Sequence, residues 1–419
     1  MINTTIQSKK RFGGYPALVI SLCAFFLFYK YVLQIYPSVI TKQLMEEWQL
    51  TGAGLGNLAA TFYYSLMITQ IFVGVILDKY SARWLTALAI FTCALGVFLF
   101  SQSHTLLYAQ LSRAMMGAGV AFATVAYMKL ASAWFAPRQY AFVGGLLATA
   151  AMAGAVFGQA PLALIINSLG WRQALLIVGL VGFAAALLFA IIVRDSPESS
   201  KPLLLKKETH ITFNDVMQVF TNKQNWLLTL YGGLAFSPIA IFGGLWGTPF
   251  IMQAYDLSNT QAASMVSLVF IGLGIGSPLL GILSDRIGDR LNVMFYSTLI
   301  SCLFICLVLY CHPLPTWIVG TSLFIFGFGL GAFMLVFAIG KEINSIRLTA
   351  TVIAMINASD AILDAITEPA IGKLLDIHWD GKIVDGVHYF SLHSYHFALS
   401  VLPAFLVIAA LLLLWVKKT

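Results

Sequence analysis

Long apolar runs separated by short polar segments fill almost the whole chain. Each run is long enough, at about 20 residues, to cross the hydrocarbon core of a bilayer as a helix. The charged, Pro and Gly positions between the runs predict twelve membrane spans. They cover residues 16–36, 52–77, 84–102, 107–133, 140–166, 172–193, 225–254, 260–284, 291–311, 315–340, 349–375 and 395–416. The pattern therefore predicts an all-α membrane protein.

One polar segment, residues 194–223, is much longer than the other connections and divides the spans into six and six. We predict an N-terminal six-helix bundle (1–193), a linker (194–223) and a C-terminal six-helix bundle (224–419). An even number of spans places both chain ends on one side of the membrane. That side carries seventeen of the 24 Lys and Arg residues, so both ends are expected in the cytoplasm of a bacterium, with the spans in its inner membrane.

The composition agrees with this interpretation. Of 419 residues, 59% are hydrophobic and 10% are charged, and the mean hydropathy is +0.87, which excludes an ordinary soluble domain. The net charge of +7 is spread along the chain and does not indicate nucleic-acid binding. The five cysteines lie in or beside apolar runs, and the sequence has no metal-ligand or nucleotide-binding motif, so neither a metal nor a cofactor is expected.

The connections after spans 2 and 8 share one pattern, Gly-x3-Asp-(Lys/Arg)-x3-Arg. Its residues are Gly74, Asp78, Lys79 and Arg83 in the first half, and Gly281, Asp285, Arg286 and Arg290 in the second. Identical spacing at the same helix number in each half indicates an internal repeat. Each Asp ends a helix, where it can face the positive end of another helix and pair with nearby basic residues.

This paired pattern resembles the signature of the major facilitator superfamily, and the six-plus-six arrangement extends the resemblance over the whole chain. The resemblance implies twelve transmembrane helices in two pseudo-symmetric six-helix bundles and alternating access around a site between them. It also implies that the repeated loops gate the cytoplasmic side and that the functional unit is a monomer in the lipid bilayer. The segment from Arg113 to Gly119, which reads Arg-x3-Gly-x-Gly, is similar to another pattern of the superfamily.

Shorter segments, residues 34–38, 245–250 and 379–381, are similar to a bacterial branch related to lysosomal dipeptide transporters and phagosomal nutrient transporters. In the dipeptide transporters, a Glu and an Arg in spans 4 and 5 hold the peptide termini. The corresponding residues here are Ala121 and Met152. This departure puts a dipeptide substrate in doubt.

Ionisable residues inside membrane spans are costly and indicate function by default. Span 11 carries three acids at intervals of four, which form one stripe on a helix: Asp360, Asp364 and Glu368, with Asn357 one turn before them. Three like charges one turn apart are not all ionised cheaply, so the stripe suits a proton carrier. Lys30 in span 1, beside Tyr31 and Gln34, is a candidate partner. Alternatively, the stripe merely lines a wet cavity.

Other residues extend the candidate site. Arg113 either serves the cavity or holds backbone carbonyls, whereas Lys129 is expected to reach the membrane surface. The architecture implied by the resemblance places spans 2 and 11 against each other, so polar residues of span 2 are expected to face the acids. They are Asn57, Thr61, Tyr64 and Ser65, and span 7 adds Tyr231, Ser237 and Trp246.

These observations predict a secondary active transporter of a small polar organic solute, coupled to protons through the acids. An amino acid or small peptide is favoured because a positive group can replace the proton or Lys30 as counter-charge. One alternative is an exporter of drugs or of a polycarboxylate siderophore, which would need Lys30 and Arg113. Another is a membrane sensor that does not transport. No arrangement of nucleophile and base indicates an enzyme.

Overall fold

The computed structural model describes residues 14–135, 139–196, 213–345, 348–384 and 386–417, without the side chains of 78, 140, 141, 213–216, 349 and 350. These residues are almost entirely helical. Strands β1 (Ile383–Val384) and β2 (Val387–His388) form a short antiparallel hairpin before the last span.

The first six spans follow the predicted order. Span 1 is Gly14–Ile35, extended by a 3-10 turn at Tyr36–Val39, and a short helix, Thr41–Trp48, follows it. Spans 2 to 6 are Gly52–Lys79, Ala82–Ser101, Leu106–Val120 with Phe122–Trp134, Tyr140–Phe157 with Ala160–Leu169, and Trp171–Ile192.

The second half repeats the arrangement. Span 7 consists of Lys223–Ile241, a π-helical turn at Phe242–Trp246, and Gly247–Tyr255. Spans 8 and 9 are Asn259–Ile287 and Arg290–Tyr310, and span 10 is Thr316–Leu330 continued through a 3-10 turn, Gly331–Met334, into Leu335–Glu342. Spans 11 and 12 are Thr349–Ile377 and Leu392–Leu399 with Val401–Leu413.

Eleven helical segments among the described residues are long and apolar enough to cross a membrane. The twelfth predicted span, Thr349–Ile377, is a continuous helix of 29 residues. Its polar residues include the three acids of the stripe. The end of the predicted linker is a helix, Phe213–Thr221, and residues 197–212 lie outside the described part of the chain. The three-part division of the chain stays a prediction.

Local sequence explains where several spans begin and end. The Thr51 side chain accepts the N–H of Gly54 at the start of span 2, and Ser258 and Gln261 form a capping box at the start of span 8. Span 8 ends at Gly288, whose φ of +72° favours glycine. Pro238 in span 7 has no N–H to donate, and the π turn follows it by four residues.

Glycines bring spans 8 and 10 into backbone contact. A Cβ at Gly272 would lie 2.2 Å from the carbonyl oxygen of Phe324, and one at Gly276 would lie 2.1 Å from that of Phe328. From the opposite side, a Cβ at Gly327 would lie 2.0 Å from the oxygen of Val269. The small-x3-small spacing of these glycines therefore serves close helix packing.

The start of span 1 and the end of the last span lie on the same face of the molecule. The Tyr15 hydroxyl donates to the carbonyl of Ile192, and the Lys417 N–H donates to Gln224 Oε1 at 2.8 Å. We call this face, which also carries the end of span 6 and the start of span 7, the terminal face, and the opposite face the distal face. The positive-inside rule predicts that the terminal face is cytoplasmic.

Hydrogen bonds join the halves near the distal face. Asn259 Nδ2 in span 8 donates to the carbonyl of Val39 at 2.8 Å, and Asn167 Nδ2 in span 5 donates to Thr260 Oγ1 at 2.8 Å. Span 11 also packs tightly on the start of span 2, where a Cβ at Gly52 would lie 2.5 Å from the carbonyl oxygen of Gly372. These contacts close the distal side of the interface between the halves.

Candidate functional site

The acidic stripe of span 11 lies at the interface between the halves. Asp364 and Glu368 are buried, with 2% of each residue exposed, whereas Asp360 is partly exposed. The Ser237 hydroxyl in span 7 donates to Asp364 Oδ1. One oxygen each of Asp360 and Glu368 is buried and has no hydrogen-bond partner. Such unpaired oxygens are costly in a membrane interior and suit a site that takes up a proton or a cationic group.

Lys30 lies across the interface from the stripe, in the first half. The charges of Lys30 and Asp360 interact, and the Lys30 ammonium lies 5.4 Å from the ring centre of Tyr31. Lys30, Tyr31, Asn357 and Asp360 are all partly exposed. The structure thus brings Lys30, Tyr31 and Asp360 together at the more open end of the stripe, where Asn357 also lies on span 11.

Glu368 marks the closed end of the stripe, beside two residues that the sequence reasoning missed. Gln34 Nε2, predicted to belong to the site, donates to the Tyr63 hydroxyl at 3.2 Å. A Cβ built on Gly244 in the π turn would lie 3.9 Å from that hydroxyl and 4.0 Å from Glu368 Oε1. Tyr63 and Gly244 therefore border the buried carboxyl group. The signal that could have found Tyr63 is its helical register with Gly56, seven residues earlier, which also faces span 11.

Asn57 and Tyr64, which were predicted to face the acids, lie on an exposed face of span 2, although Tyr64 still interacts with the charge of Glu368. Asn57 is exposed, and Tyr64 is 39% exposed. Together with Thr61 they line a surface groove against Leu106, Leu107, Gln110 and Leu111 at the start of span 4. The reason is rotational register. A Cβ at Gly56 would lie 2.5 Å from the carbonyl oxygen of Glu368, so that face of span 2 meets span 11 and the Asn57 face turns away.

Arg113 is a structural residue in this arrangement. Its guanidinium donates to the carbonyls of Leu33 at 2.8 Å and Ala59 at 3.1 Å, and 1% of the residue is exposed. It also lies over the rings of Tyr36 and Phe62, at 5.3 and 4.8 Å from their centres. Of the two predicted roles, the structure shows the holding of backbone carbonyls through the two terminal nitrogens, whereas Nε is buried without a hydrogen-bond partner.

Trp246 ends the π turn and is buried, with an unpartnered Nε1. It lines a cavity of about 310 Å³ on the distal side, together with residues of both halves, including Met45, Leu55 and Tyr389. Trp246 therefore connects this cavity with the π turn, in which Gly244, two residues earlier, borders Glu368.

A buried hydrogen-bond network, also missed from sequence, joins the halves at the break in span 5. Gln159, which is fully buried, donates to Ser38 Oγ at 3.0 Å and to the carbonyl of Gly243 in the π turn. The hydroxyl of Thr248 donates to Gln159 Oε1 at 3.2 Å. One amide thus links spans 1, 5 and 7.

The two repeated loops lie at the terminal face, and each arginine is held within its own half. Arg83 donates through its backbone N–H to Asp195 at 2.7 Å and through Nε to the carbonyl of Ala190 at 2.7 Å. Arg290 pairs with Glu342 and with Asp285, the latter at 3.6 Å.

The other loop residues have different surroundings. Lys79 and Arg286 are exposed, and a Cβ at Gly74 or Gly281 would meet no atom within 4 Å. The side chain of Asp78 lies outside the described residues. The gating role of all eight residues stays a prediction.

The Lys129 ammonium donates a hydrogen bond to the carbonyl of Leu77, so this side chain reaches the end of span 2 at the terminal face. Histidines near the distal face make ring contacts: His388 stacks on Trp379, and His312 stacks on His396 at 5.3 Å. Within the described ranges, no group of three or more His, Cys, Asp or Glu residues is arranged to hold a metal ion.

The chain matches a known protein family. The model of the Major Facilitator Superfamily matches residues 18–358 and, in a second match, 228–419. The chain belongs to the major facilitator superfamily. The sequence-based family assignment and the fold class, an all-α membrane protein built as twelve spans, are thereby confirmed. Membership places the chain among multi-pass membrane transporters and not among enzymes.

Similar proteins include a probable sulfoacetate transporter of Cupriavidus necator, 22% identical over 65% of this chain and 66% of its own length. The hexuronate transporter of Bacillus subtilis is 23% identical over 64% of this chain and 65% of its own. The matched stretches thus span less than two thirds of these relatives. A solved structure of a bacterial homolog to the human lysosomal transporter Spinster, inward-facing and unoccupied, has a TM-score of 0.80 at 16% identity and covers 97% of both chains.

Proposed function

We propose that this chain is a proton-coupled secondary transporter that moves a small polar organic solute with a positive group across a bacterial inner membrane. An amino acid or a small peptide is the favoured class. The observation that carries the proposal is the acidic stripe: three carboxyl groups lie at the interface between the halves, and two of them, Asp364 and Glu368, are buried. Buried carboxyl groups at such an interface are suited to exchange a proton for a cationic group.

The coupling step uses the more open end of the stripe. When Asp360 is ionised, Lys30 is its counter-charge. A proton on Asp360, or a solute ammonium beside it, removes the need for Lys30 and releases the contact across the interface. Asp364, which accepts the Ser237 hydroxyl, links the stripe to span 7 of the same half. Proton binding and solute binding therefore act on one interface.

Alternating access follows from the contacts between the halves. The distal side is closed by hydrogen bonds such as Asn259 to Val39, whereas Arg83 and Arg290 on the terminal side are bound within their own halves. In the opposite state the distal contacts separate and the repeated loops approach each other. We place the terminal face in the cytoplasm and take the functional unit to be a monomer.

A second candidate is an importer or exporter of organic anions. The names of the relatives from C. necator and B. subtilis, which refer to sulfoacetate and hexuronate, favour it. Lys30 is the basic residue that an anion would reach. Arg113 argues against this candidate, because its guanidinium is engaged with Leu33 and Ala59.

The two candidates are separated by a flux experiment with the purified chain in liposomes that contain a pH-sensitive dye. L-amino acids, cationic dipeptides, sugar acids and hexose phosphates are added in turn, and proton movement and solute uptake are recorded. We expect inward proton movement with an amino acid or dipeptide. Uptake that is restricted to sugar acids or hexose phosphates, and that is lost in Lys30→Met, would establish the second candidate. Solute binding without any flux would indicate a sensor.

A further inference from the structure

A groove on the surface of the first half runs between spans 2 and 4, near the distal face. We call it the span 2–4 groove, and its volume is about 450 Å³. Side chains of both spans line it, and they include Asn57, Thr61, Tyr64, Leu107, Gln110 and Leu111. The described lining residues carry no charge and all belong to the first half. The groove is therefore distinct from the acidic stripe of span 11.

The polar side chains of the groove reach the surface without a protein partner. Asn57 is exposed and Gln110 is partly exposed. In the part of the chain that the structure describes, neither side-chain amide makes a hydrogen bond, and the Tyr64 hydroxyl makes none either. Such groups are costly in contact with hydrocarbon, where no water replaces the missing partner. A bound molecule with acceptor oxygens would therefore stabilise this surface.

The two amides lie at the depth where a bilayer changes from headgroups to hydrocarbon. Span 2 has 28 residues and is about 42 Å long, so a centred helix extends roughly 6 Å beyond each side of the hydrocarbon core. Asn57 is the sixth residue of span 2, and Gln110 is the fifth of span 4. Both therefore lie about 6–8 Å from the start of their helix. The phosphate and ester oxygens of phospholipids lie at this boundary.

Apolar side chains lie beside and below the amides. Leu107 and Leu111 of span 4 are each more than half exposed. The face of span 2 that carries Asn57 and Tyr64 continues at Ile68, which is also more than half exposed. From the distal end inward, this surface thus offers first hydrogen-bonding groups and then an apolar strip. A phospholipid has the same order of polar and apolar parts.

We propose that the span 2–4 groove binds one phospholipid of the distal leaflet. The phosphate and ester oxygens of the lipid accept hydrogen bonds from Asn57 and Gln110, and from Tyr64 deeper in the groove. One acyl chain packs on Leu111 and Ile68. Because the described lining residues carry no charge, binding does not depend on the net charge of the headgroup. This site is independent of the solute and of its coupling to protons.

A second copy of the chain is the competing occupant. A membrane helix uses its backbone carbonyls in its own hydrogen bonds, so it brings few free acceptors to the two amides. A lipid brings several acceptor oxygens at the right depth. The polar side chains of the groove therefore favour a lipid over a partner helix.

The test counts bound lipids by native mass spectrometry. The full chain is freed of lipid in detergent and titrated with dioleoyl phosphatidylethanolamine or dioleoyl phosphatidylglycerol. The main variant combines Asn57→Leu with Gln110→Leu, which removes both amides from the groove. Gln70→Leu is the matched control, because Gln70 is an exposed amide of span 2 that does not line the groove. Tyr64→Phe, which removes only a hydroxyl, is the second variant should the double variant misfold.

We expect the wild type to bind one molecule of either lipid more tightly than any further molecules, with similar affinity for the two headgroups. The double variant should bind this first lipid at least tenfold more weakly, and Tyr64→Phe severalfold more weakly. Gln70→Leu should leave the affinity unchanged. Equal affinity in the wild type, the double variant and Tyr64→Phe would overturn the proposal.

Two further readings of the same spectra exclude other occupants. Glycerophosphoethanolamine, which has the headgroup without acyl chains, should not displace the lipid at a hundredfold excess. Displacement would show a site for a polar solute and would overturn the lipid assignment. A dimer that is lost in the double variant, together with unchanged lipid binding, would assign the groove to a second copy of the chain.

Discussion

The carboxylate of Asp376, at the distal end of span 11, accepts the backbone N–H of Gly52, the first residue of span 2, at 2.7 Å. Its second oxygen accepts the N–H of Ala53 at 2.8 Å. The first N–H groups of a helix have no partner within the helix, and a carboxylate there is stabilised by the helix dipole. Because the two spans belong to different halves, this contact closes the distal side directly.

We predict that Asp376→Asn shifts the molecule toward a state that is open on the distal face. Asparagine has one acceptor oxygen and no charge, so it keeps at most one of the two bonds. Since Asp376 is partly exposed, we expect a loss of about 1 kcal/mol, or roughly fivefold in the ratio of open to closed molecules. Spin labels at Gln49 and Ile383, in a background without the five native cysteines, measure the separation of the halves.

Asp380→Asn is the control for this measurement. Asp380 lies near the same face, but its carboxylate accepts the N–H of Lys382 within its own loop at 3.3 Å. It should leave the distance distribution unchanged. An unaltered distribution in Asp376→Asn as well would show that this contact does not hold the distal side closed.

We predict that Arg113→Gln destabilises the fold without regard to solute. The substitution leaves the carbonyls of Leu33 and Ala59 without their charged donor in a buried site. Each hydrogen bond to a charged group is worth about 1.5–3 kcal/mol, so a total of about 3 kcal/mol or more is expected. Thermal unfolding in detergent measures it. Arg172→Gln provides a comparison, since Arg172 also donates to two carbonyls and in addition to Glu47, but its side chain is 28% exposed; a loss there larger than in Arg113→Gln would contradict the argument.

Hydropathy predicts the spans because length and apolarity decide whether a helix crosses a membrane. Span 11 was predicted at 349–375 and is found at Thr349–Ile377, despite its acids. The breaks inside spans were not predicted. The break at Gln159 depends on partners in spans 1 and 7, Ser38 and Gly243, which are distant in sequence. Such tertiary contacts leave no local pattern.

The candidate site was likewise predictable where a local property identified a residue, and not where tertiary contacts decided. The acids were identifiable because charge is rare inside a membrane span. The sequence did not identify which of Tyr63 and Tyr64 borders the acids. Both are polar aromatic residues on one apolar helix, and the rotation of that helix about its axis decides which of them faces span 11. That rotation is set by the contact of Gly56 with the backbone of Glu368, which pairs residues in different halves. The sequence therefore did not show that Tyr63 is the span 2 residue that borders the buried end of the stripe.

We predict that Gly272→Ala destabilises the second half much more than Gly274→Ala, two residues away on the same span. A Cβ at Gly272 would lie 2.2 Å from the Phe324 backbone oxygen, whereas one at Gly274 would lie 3.4 Å from the Met152 side chain. The first forces two helices apart, and such overpacking typically costs about 1–3 kcal/mol. Unfolding midpoints of both variants in detergent decide the matter; equal midpoints would refute the backbone contact.

The central claim is that the acids of span 11 couple proton movement to solute movement, and Asp364→Asn tests it most directly. Asparagine still accepts the Ser237 hydroxyl but carries no proton to release. Asp256→Asn serves as the control, because Asp256 is exposed at the distal face with a φ of +50°, which asparagine tolerates.

The decisive measurement is solute-driven proton entry into liposomes, recorded together with exchange of labelled for unlabelled solute, with the amino acid or dipeptide that the wild type transports. For Asp364→Asn we predict at least a tenfold loss of proton entry with exchange retained, and for Asp256→Asn no change in either. Proton entry at the wild-type rate in Asp364→Asn would contradict the account.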